Sequence, residues 1–300
     1  MTYREIYEAG KGALAAAGIE EADLDARLLL EFVCDTDRNT LLVHGERTVS
    51  EEEEKRYREL LEKRGKRIPL QHLTGVQNFM GLDFSVNAHV LIPRQDTEIL
   101  VEEALKNLHD GMRILDLCTG SGCILISLLY YSNQCSGVGI DISGEALRVA
   151  RENAERLLDG RKVLKEIDGQ VAEVFPADFL KSDLTEAAEG DFDMIVSNPP
   201  YIESKVIETL MPEVREHEPM LALDGSEDGL LFYRRIVGES RQVLKPGGML
   251  LFEIGYNQGA AVKKLMEDAG YLEVQVVKDY AGLDRVVTGV LSISNFVPAV

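Results

Sequence analysis

No apolar stretch in this 300-residue chain approaches the roughly 18 residues needed to cross a bilayer. The opening residues, Met1-Thr2-Tyr3-Arg4-Glu5, enter a helical pattern directly and lack the apolar run of a signal peptide. The expectation is a cytoplasmic protein with no membrane partner. Cysteine is scarce. Cys34, Cys118, Cys123 and Cys135 form no CxxC pair, and the five histidines are scattered without metal-ligand spacing. Free thiols in a reducing compartment are expected, with no metal. Basic charge is in deficit: 32 Lys and Arg stand against 52 Asp and Glu, a net charge of −20. Nucleic-acid binding rests mainly on neutralising phosphates with Lys and Arg, so this balance argues against a direct nucleic-acid partner. Internal repeats and low-complexity segments are absent as well. What remains is a 45% hydrophobic composition, enough for the core of one large domain or two smaller ones.

The first third reads as helices. Thr2 to Ala17 opens with the capping box Thr2-x-x-Glu5 and stops at Gly18. Glu21 to Cys34 carries Leu24, Leu28 and Phe32 at helical spacing, which predicts that they form its buried face. A third helix starts at Ser50, with Glu53 completing a second capping box, and ends at Gly65. Short β-like runs around Gly81 then suggest a hairpin, followed by a helix from Asp96 to Leu108. From Arg113 onward strand and helix alternate. The strand-like runs are 113–117, 137–140, 171–175, 192–197, 249–254, 272–277 and 284–292. Short apolar runs separated by helices indicate an open, mainly parallel α/β sheet of seven strands. The last two runs lie too close together for a crossover, so one of them is expected to be antiparallel.

Ile114-Leu115-Asp116-Leu117 leads into Cys118-Thr119-Gly120-Ser121-Gly122, a strand entering a glycine-rich turn before a helix. Such turns bring backbone N–H groups close to a ligand. The next strand ends at Asp141, about 20 residues on, where an acidic side chain suits ribose hydroxyls. Ser143 is the better helix cap there, which leaves Asp141 for the ligand. The turn lacks the full GxGxxG spacing that serves a pyrophosphate, so it leans toward a nucleoside without phosphates. Alone it does not separate a nicotinamide dinucleotide from S-adenosylmethionine. Asp178 and Phe179 follow the run 171–175, on what would be the same rim. Asp178 is placed to accept from an adenine amino group and Phe179 to pack on the ring.

Phe192-Asp193-Met194-Ile195-Val196-Ser197 is a buried-strand pattern ending in Asn198-Pro199-Pro200-Tyr201. Prolines terminate strands, but two of them flanked by Asn and Tyr at this rim suggest more than a terminator. A planar NH2 group is a poor nucleophile because its lone pair is delocalised. Asn198 offers a side-chain carbonyl acceptor, and the prolines pre-aim backbone carbonyls while removing local N–H donors. Two acceptors gripping both N–H bonds would orient the nitrogen and favour the charge that develops on it. Tyr201 would pack on the flat face of the group.

With the upstream Asp-Leu-x-Thr-Gly-Ser-Gly turn, this motif resembles class I S-adenosylmethionine-dependent amino-methyltransferases. Further segments resemble one branch, the protein-(glutamine-N5) methyltransferases of peptide chain release factors: Pro69–Gly75, Val90–Arg94 with Asp96-Thr97-Glu98, Glu218-Pro219 with Ala222–Gly225, Leu244–Gly248 with Glu253-Ile254-Gly255, and Asp279–Arg285. The resemblance spans nearly the whole chain. It implies a Rossmann-like methyltransferase domain (95–300), a β-hairpin linker (71–94) and an N-terminal helical bundle (1–70) that helps hold the release factor. It also implies methyl transfer to the glutamine of a Gly-Gly-Gln loop, with S-adenosylhomocysteine as product. Cys118 to Gly122, Asp141, Asp178, Phe179 and Asn198 would hold the cofactor, and Asn198 to Tyr201 the glutamine. The chain departs from the family at three places. Cys118 stands where glycine is common, Phe179 where tryptophan is, and Gln95 where proline is. A side chain at 118 disfavours positive φ, which leaves Gly120 and Gly122 to make the turn. A monomer is expected. The rival readings are an adenine-N6 or guanine-N2 methyltransferase, a ribosomal-protein glutamine methyltransferase, and a non-catalytic cofactor-binding protein that would be expected to lose Asn198 or a proline.

Overall fold

The computed structural model describes residues 1–167 and 169–293, which divide into two compact units. The first comprises residues 1–76 together with 211–217. Its helices within residues 1–76 are α1 (Tyr3–Ala16), α2 (Ala22–Val33), α3 (Arg38–Val43), α4 (Glu51–Gly65) and α5 (Leu70–Thr74). Both capping boxes form: Thr2 and Glu5 close the start of α1, and Ser50 and Glu53 the start of α4. Tyr3, Ile6, Leu29, Leu30, Val33, Tyr57 and Leu60 share its core.

The buried face of α2 differs from the sequence expectation. Leu24 and Phe32 are exposed, whereas Ala22, Asp25, Ala26, Leu29, Leu30 and Val33 are buried. The stripe of larger side chains was the misleading one, because the true face includes a carboxylate. Asp25 is buried by an ion pair with Arg64 of α4 at 2.7 Å, and Arg64 also reaches Glu213 at 3.0 Å. Phe32 is covered from outside by the guanidinium of Arg56, 5.0 Å from its ring centre.

The second unit comprises residues 77–210 and 218–293. The hairpin read around Gly81 is present as β1 (Val76–Phe79) and β2 (Leu82–Ser85), turning where Met80 and Gly81 both have positive φ. After it come α6 (Gln95–Asn107), β3 (Arg113–Leu117), α7 (Cys123–Tyr131), β4 (Ser136–Asp141), α8 (Gly144–Leu157), β5 (Val163–Ile167), β6 (Gln170–Val174), β7 (Ala177–Lys181) and β8 (Phe192–Ser197). The chain continues through the short helix α9 (Ser204–Ile207), passes through α10 (Pro212–His217) of the first unit, and returns in α11 (Leu231–Ser240), β9 (Leu244–Glu253), α12 (Gly259–Asp268), β10 (Tyr271–Lys278) and β11 (Asp284–Leu291).

Seven of these strands form one Rossmann-like sheet in the order β10-β11-β9-β8-β3-β4-β7. All neighbours are parallel except β11, which is antiparallel to both β9 and β10. Successive strand residues alternate between faces. Ile114, Met194 and Val196 pack with α6, α7 and α8, whereas Leu115, Leu117 and Ile195 pack with α11 and α12. The run 171–175 is not a strand of this sheet. Residues 170–174 pair with β5 in a separate two-stranded hairpin, and the sheet strand is β7, one element later. The chain order reverses between β3 and β8, and crevices at such switch points are where open α/β sheets bind ligands.

Candidate active site

The turn after β3 is built from below by Asp116. Its carboxylate is fully buried, accepts from the Thr119 hydroxyl at 2.6 Å and from Leu125 N at 3.3 Å, and leaves Oδ1 buried without a partner. Burial pushes its pKa up to about 7, against the pull of those two donors. Above it Cys118, Gly120 and Gly122 all have positive φ, of 62°, 55° and 79°. The turn therefore uses a left-handed conformation at Cys118 as well as at the glycines. That conformation costs a non-glycine residue about 1–2 kcal/mol, so the surrounding structure must impose it. Gly122 is required on two counts: besides its φ, a Cβ there would lie 2.8 Å from Ile126 Cδ1 and 3.2 Å from the Ala150 Cβ. Asn153 of α8 ties the turn to the hairpin, donating to the carbonyls of Ser121 and Ser85 at 3.0 Å each.

Asp141, the last residue of β4, reaches back to the same turn. Oδ2 accepts from Gly120 N at 2.9 Å and Oδ1 from Ser143 N at 2.8 Å. Each carboxylate oxygen keeps a lone pair for a hydroxyl donor. Burial raises the Asp141 pKa, and backbone N–H groups hold it back. Ser143 caps α8 through Ala146 N, as its position suggested.

At the end of β8, parallel to β3, comes Asn198-Pro199-Pro200-Tyr201. Ser197 locks the two strand ends by donating to Leu117 O at 2.7 Å. Both prolines are buried. Among the described residues no backbone N–H reaches the main-chain carbonyls of Asn198, Pro199 or Pro200. Asn198 Nδ2 donates to Thr97 Oγ1 of α6 at 3.4 Å, and the Tyr201 hydroxyl donates to Glu253 Oε1 of β9 at 3.1 Å.

A cavity of about 260 Å³ joins these elements. Of the residues singled out in the sequence, Cys118, Thr119, Gly120, Ser121, Asp141, Asn198 and Pro200 line it; Gly122, Pro199 and Tyr201 adjoin these in the chain but do not line it. Asp178 and Phe179 are not brought to the cavity. They lie at the start of β7, not beyond its end, and Phe179 is buried against Gly139, which has no side chain to obstruct it. The error follows from taking 171–175 as the sheet strand. Ser182, Asp183 and Leu184, past the end of β7, occupy the rim instead. Sequence reasoning quoted Arg94, Thr97 and Glu253 within family segments but gave them no site role, and it passed over Arg235; Arg94, Thr97 and Arg235 line the cavity, and Glu253 holds the Tyr201 hydroxyl. A glutamate closing the apolar run 249–252 was the available signal for the last.

The cavity fits a nucleoside without phosphates. Its walls include Val90, Leu91, Ile124, Ile140, Ile142 and Leu184. Its lining cations are already paired, Arg94 with Glu218 at 2.5 Å and Arg235 with Asp183 at 3.1 Å, which leaves no free lining Lys or Arg for a pyrophosphate.

Comparison with known proteins decides the family. Residues 5–75 match the PrmC N-terminal domain, and residues 108–290 match a methyltransferase domain. The release factor glutamine methyltransferase of Caulobacter vibrioides is 43% identical over 294 residues, covering 97% of this chain and 96% of that one. This chain belongs to the release factor glutamine methyltransferase family. The Geobacter sulfurreducens member is 40% identical, with 96% of each chain covered. The crystal structure of a methyltransferase from Pyrococcus furiosus, 19% identical, superposes with a TM-score of 0.51 over 77% of this chain and 99% of that one, which supports the fold. No helix among the described residues is long and apolar enough to cross a membrane.

Proposed function

We propose that this chain methylates the side-chain amide nitrogen (N5) of the glutamine in the Gly-Gly-Gln motif of peptide chain release factors, using S-adenosylmethionine. The observation that carries the reading is one cavity lined by Gly120, Asp141, Asn198 and Pro200 together, in a chain of this family. S-adenosylmethionine supplies an electrophilic methyl group on a sulfonium. The backbone of Cys118 to Gly122, the Asp141 carboxylate and the apolar wall would hold it.

The chain's own residues do the rest. Asn198 Oδ1 and a proline-segment carbonyl accept the two N–H bonds of the substrate amide. Neither carbonyl has a competing donor along its own backbone, so both remain available. This grip holds the nitrogen in one orientation and stabilises the positive charge that grows on it, a contribution worth several orders of magnitude in rate. The proton leaves after transfer, so no strong base is needed. Apolar side chains such as Leu91 and Leu184 keep water from competing for the same acceptors. The helical unit helps hold the release factor, a single chain is the working unit, and its substrate places it in the cytoplasm.

The test uses labelled S-adenosylmethionine with purified release factor, a Gly-Gly-Ala version of it, ribosomal proteins, DNA and rRNA. Label at the loop glutamine is expected, and none in the Gly-Gly-Ala protein. Label only in DNA, rRNA or a ribosomal protein would overturn the assignment.

A further inference from the structure

Reading Asn198 as an acceptor raises a question of polarity, because its amide presents an oxygen on one side and an NH2 on the other. An NH2 turned toward the substrate amide would oppose donor to donor. Nothing in Asn198 itself prevents that rotation, so its neighbours must.

Asn198 Nδ2 lies 3.4 Å from Thr97 Oγ1, and Thr97 is 2% exposed. A threonine hydroxyl has one hydrogen. If that hydrogen pointed at Asn198, the amide would turn its oxygen to Thr97 and its NH2 to the cavity. The hydrogen therefore needs another destination. Glu253, at the end of β9 and also 2% exposed, provides one. Burial raises its pKa, and hydrogen bonds from Thr97 and Tyr201 oppose that rise. Glu253 Oε1 accepts from the Tyr201 hydroxyl at 3.1 Å, while Oε2 is buried without a partner. A carboxylate only accepts. Even a neutral carboxyl with its proton on Oε2 keeps Oε1 as an acceptor. The Tyr201 hydroxyl already bonds to this acidic side chain, and Glu253 Oε2 stays open to take the hydrogen of Thr97.

We propose that Glu253 and Thr97 are positioning residues that set the polarity of the Asn198 amide. Glu253 takes the hydrogen of Thr97, Thr97 takes an N–H of Asn198, and Asn198 Oδ1 is left facing the cavity. The same carboxylate holds the Tyr201 hydroxyl, so both ends of the four-residue motif are anchored to one group. This inference rests on Asn198 accepting from the substrate amide.

Two measurements test it. The first needs no substrate. In 15N-labelled protein the Asn198 side-chain amide hydrogens exchange slowly with water, and Thr97→Val accelerates that exchange at least about tenfold while Thr97→Ser does not. The second is methyl transfer to release factor. Thr97→Val and Glu253→Gln each lower kcat about 10- to 100-fold with KM for S-adenosylmethionine within about threefold, the size expected when a catalytic group is misoriented. Thr97→Ser restores kcat to within about threefold. The double variant is no slower than the worse single one, because the residues act as one unit. Fast exchange at Asn198 in the parent protein, unchanged kcat in Thr97→Val, or a serine variant as poor as the valine one would each overturn the relay. Absence of label from the release factor with slow Asn198 exchange would instead remove the substrate assignment and leave the amide polarity standing.

Discussion

The carboxylate of Asp116 accepts the hydroxyl of Thr119 at 2.6 Å beneath the glycine turn, with its second oxygen buried and unpartnered. Its folded pKa of about 7 lies above the value of an unfolded aspartate. Between those two values the folded state binds a proton that the unfolded state has lost. Stability from this group is therefore fully present in acid and lost as pH rises through the folded value. Asp116→Asn removes the titration. Denaturant unfolding of the ligand-free protein is expected to show the variant gaining on the parent between about pH 5 and about pH 8. A parent-to-variant difference that stays flat across that range would contradict the buried carboxyl.

Asn198→Ala removes the side-chain acceptor without altering the turn or Asp141. Turnover is expected to fall at least about 100-fold, the scale seen when a transition-state acceptor or donor is deleted. The calorimetric Kd for S-adenosylmethionine should change by less than about tenfold. Activity close to that of the parent would remove Asn198 from the chemistry.

Cys118 bears its side chain at φ 62°. Cys118→Gly is expected to leave thermal stability unchanged or higher, because relief of about 1–2 kcal/mol is offset in part by the freer unfolded chain. Cys118→Val, β-branched at a left-handed position, should lower stability by about 2 kcal/mol or more. Burial also raises the pKa of this thiol, and that of Cys123 to about 12, so neither should react readily with iodoacetamide at neutral pH.

Arg64 is the common cation of two buried carboxylates, Asp25 and Glu213. Arg64→Ala leaves both without it and is expected to cost about 3–5 kcal/mol. Circular dichroism during denaturation, with Arg64→Lys as the milder control, measures the loss.

Much of the site was legible because it is local. A glycine turn after one strand and Asn-Pro-Pro-Tyr after another each declare themselves within ten residues, and parallel strands bring their ends to one rim. The capping boxes at Thr2 and Ser50 are local in the same sense. What stayed hidden depended on partners far along the chain. Asp25 reads as a solvent-facing residue until Arg64, 39 positions later, appears beside it. Val171 and its neighbours alternate like a core strand, yet Val171 is 70% exposed on a hairpin, whereas β7 carries Asp178 and Lys181 and reads poorly as a strand. The Thr97–Asn198–Glu253 group joins α6, β8 and β9, so no local pattern could reveal which way the Asn198 amide turns.

The last strand, β11, is not at the edge of the sheet but between β9 and β10. The order of synthesis is therefore not the order of assembly. While a ribosome is still extending the chain, β9 has an open side and β10 has no neighbour to pair with. Both wait for residues 284–291 to emerge from the exit tunnel. β9 and β10 therefore join one sheet only once residues 284–291 lie between them.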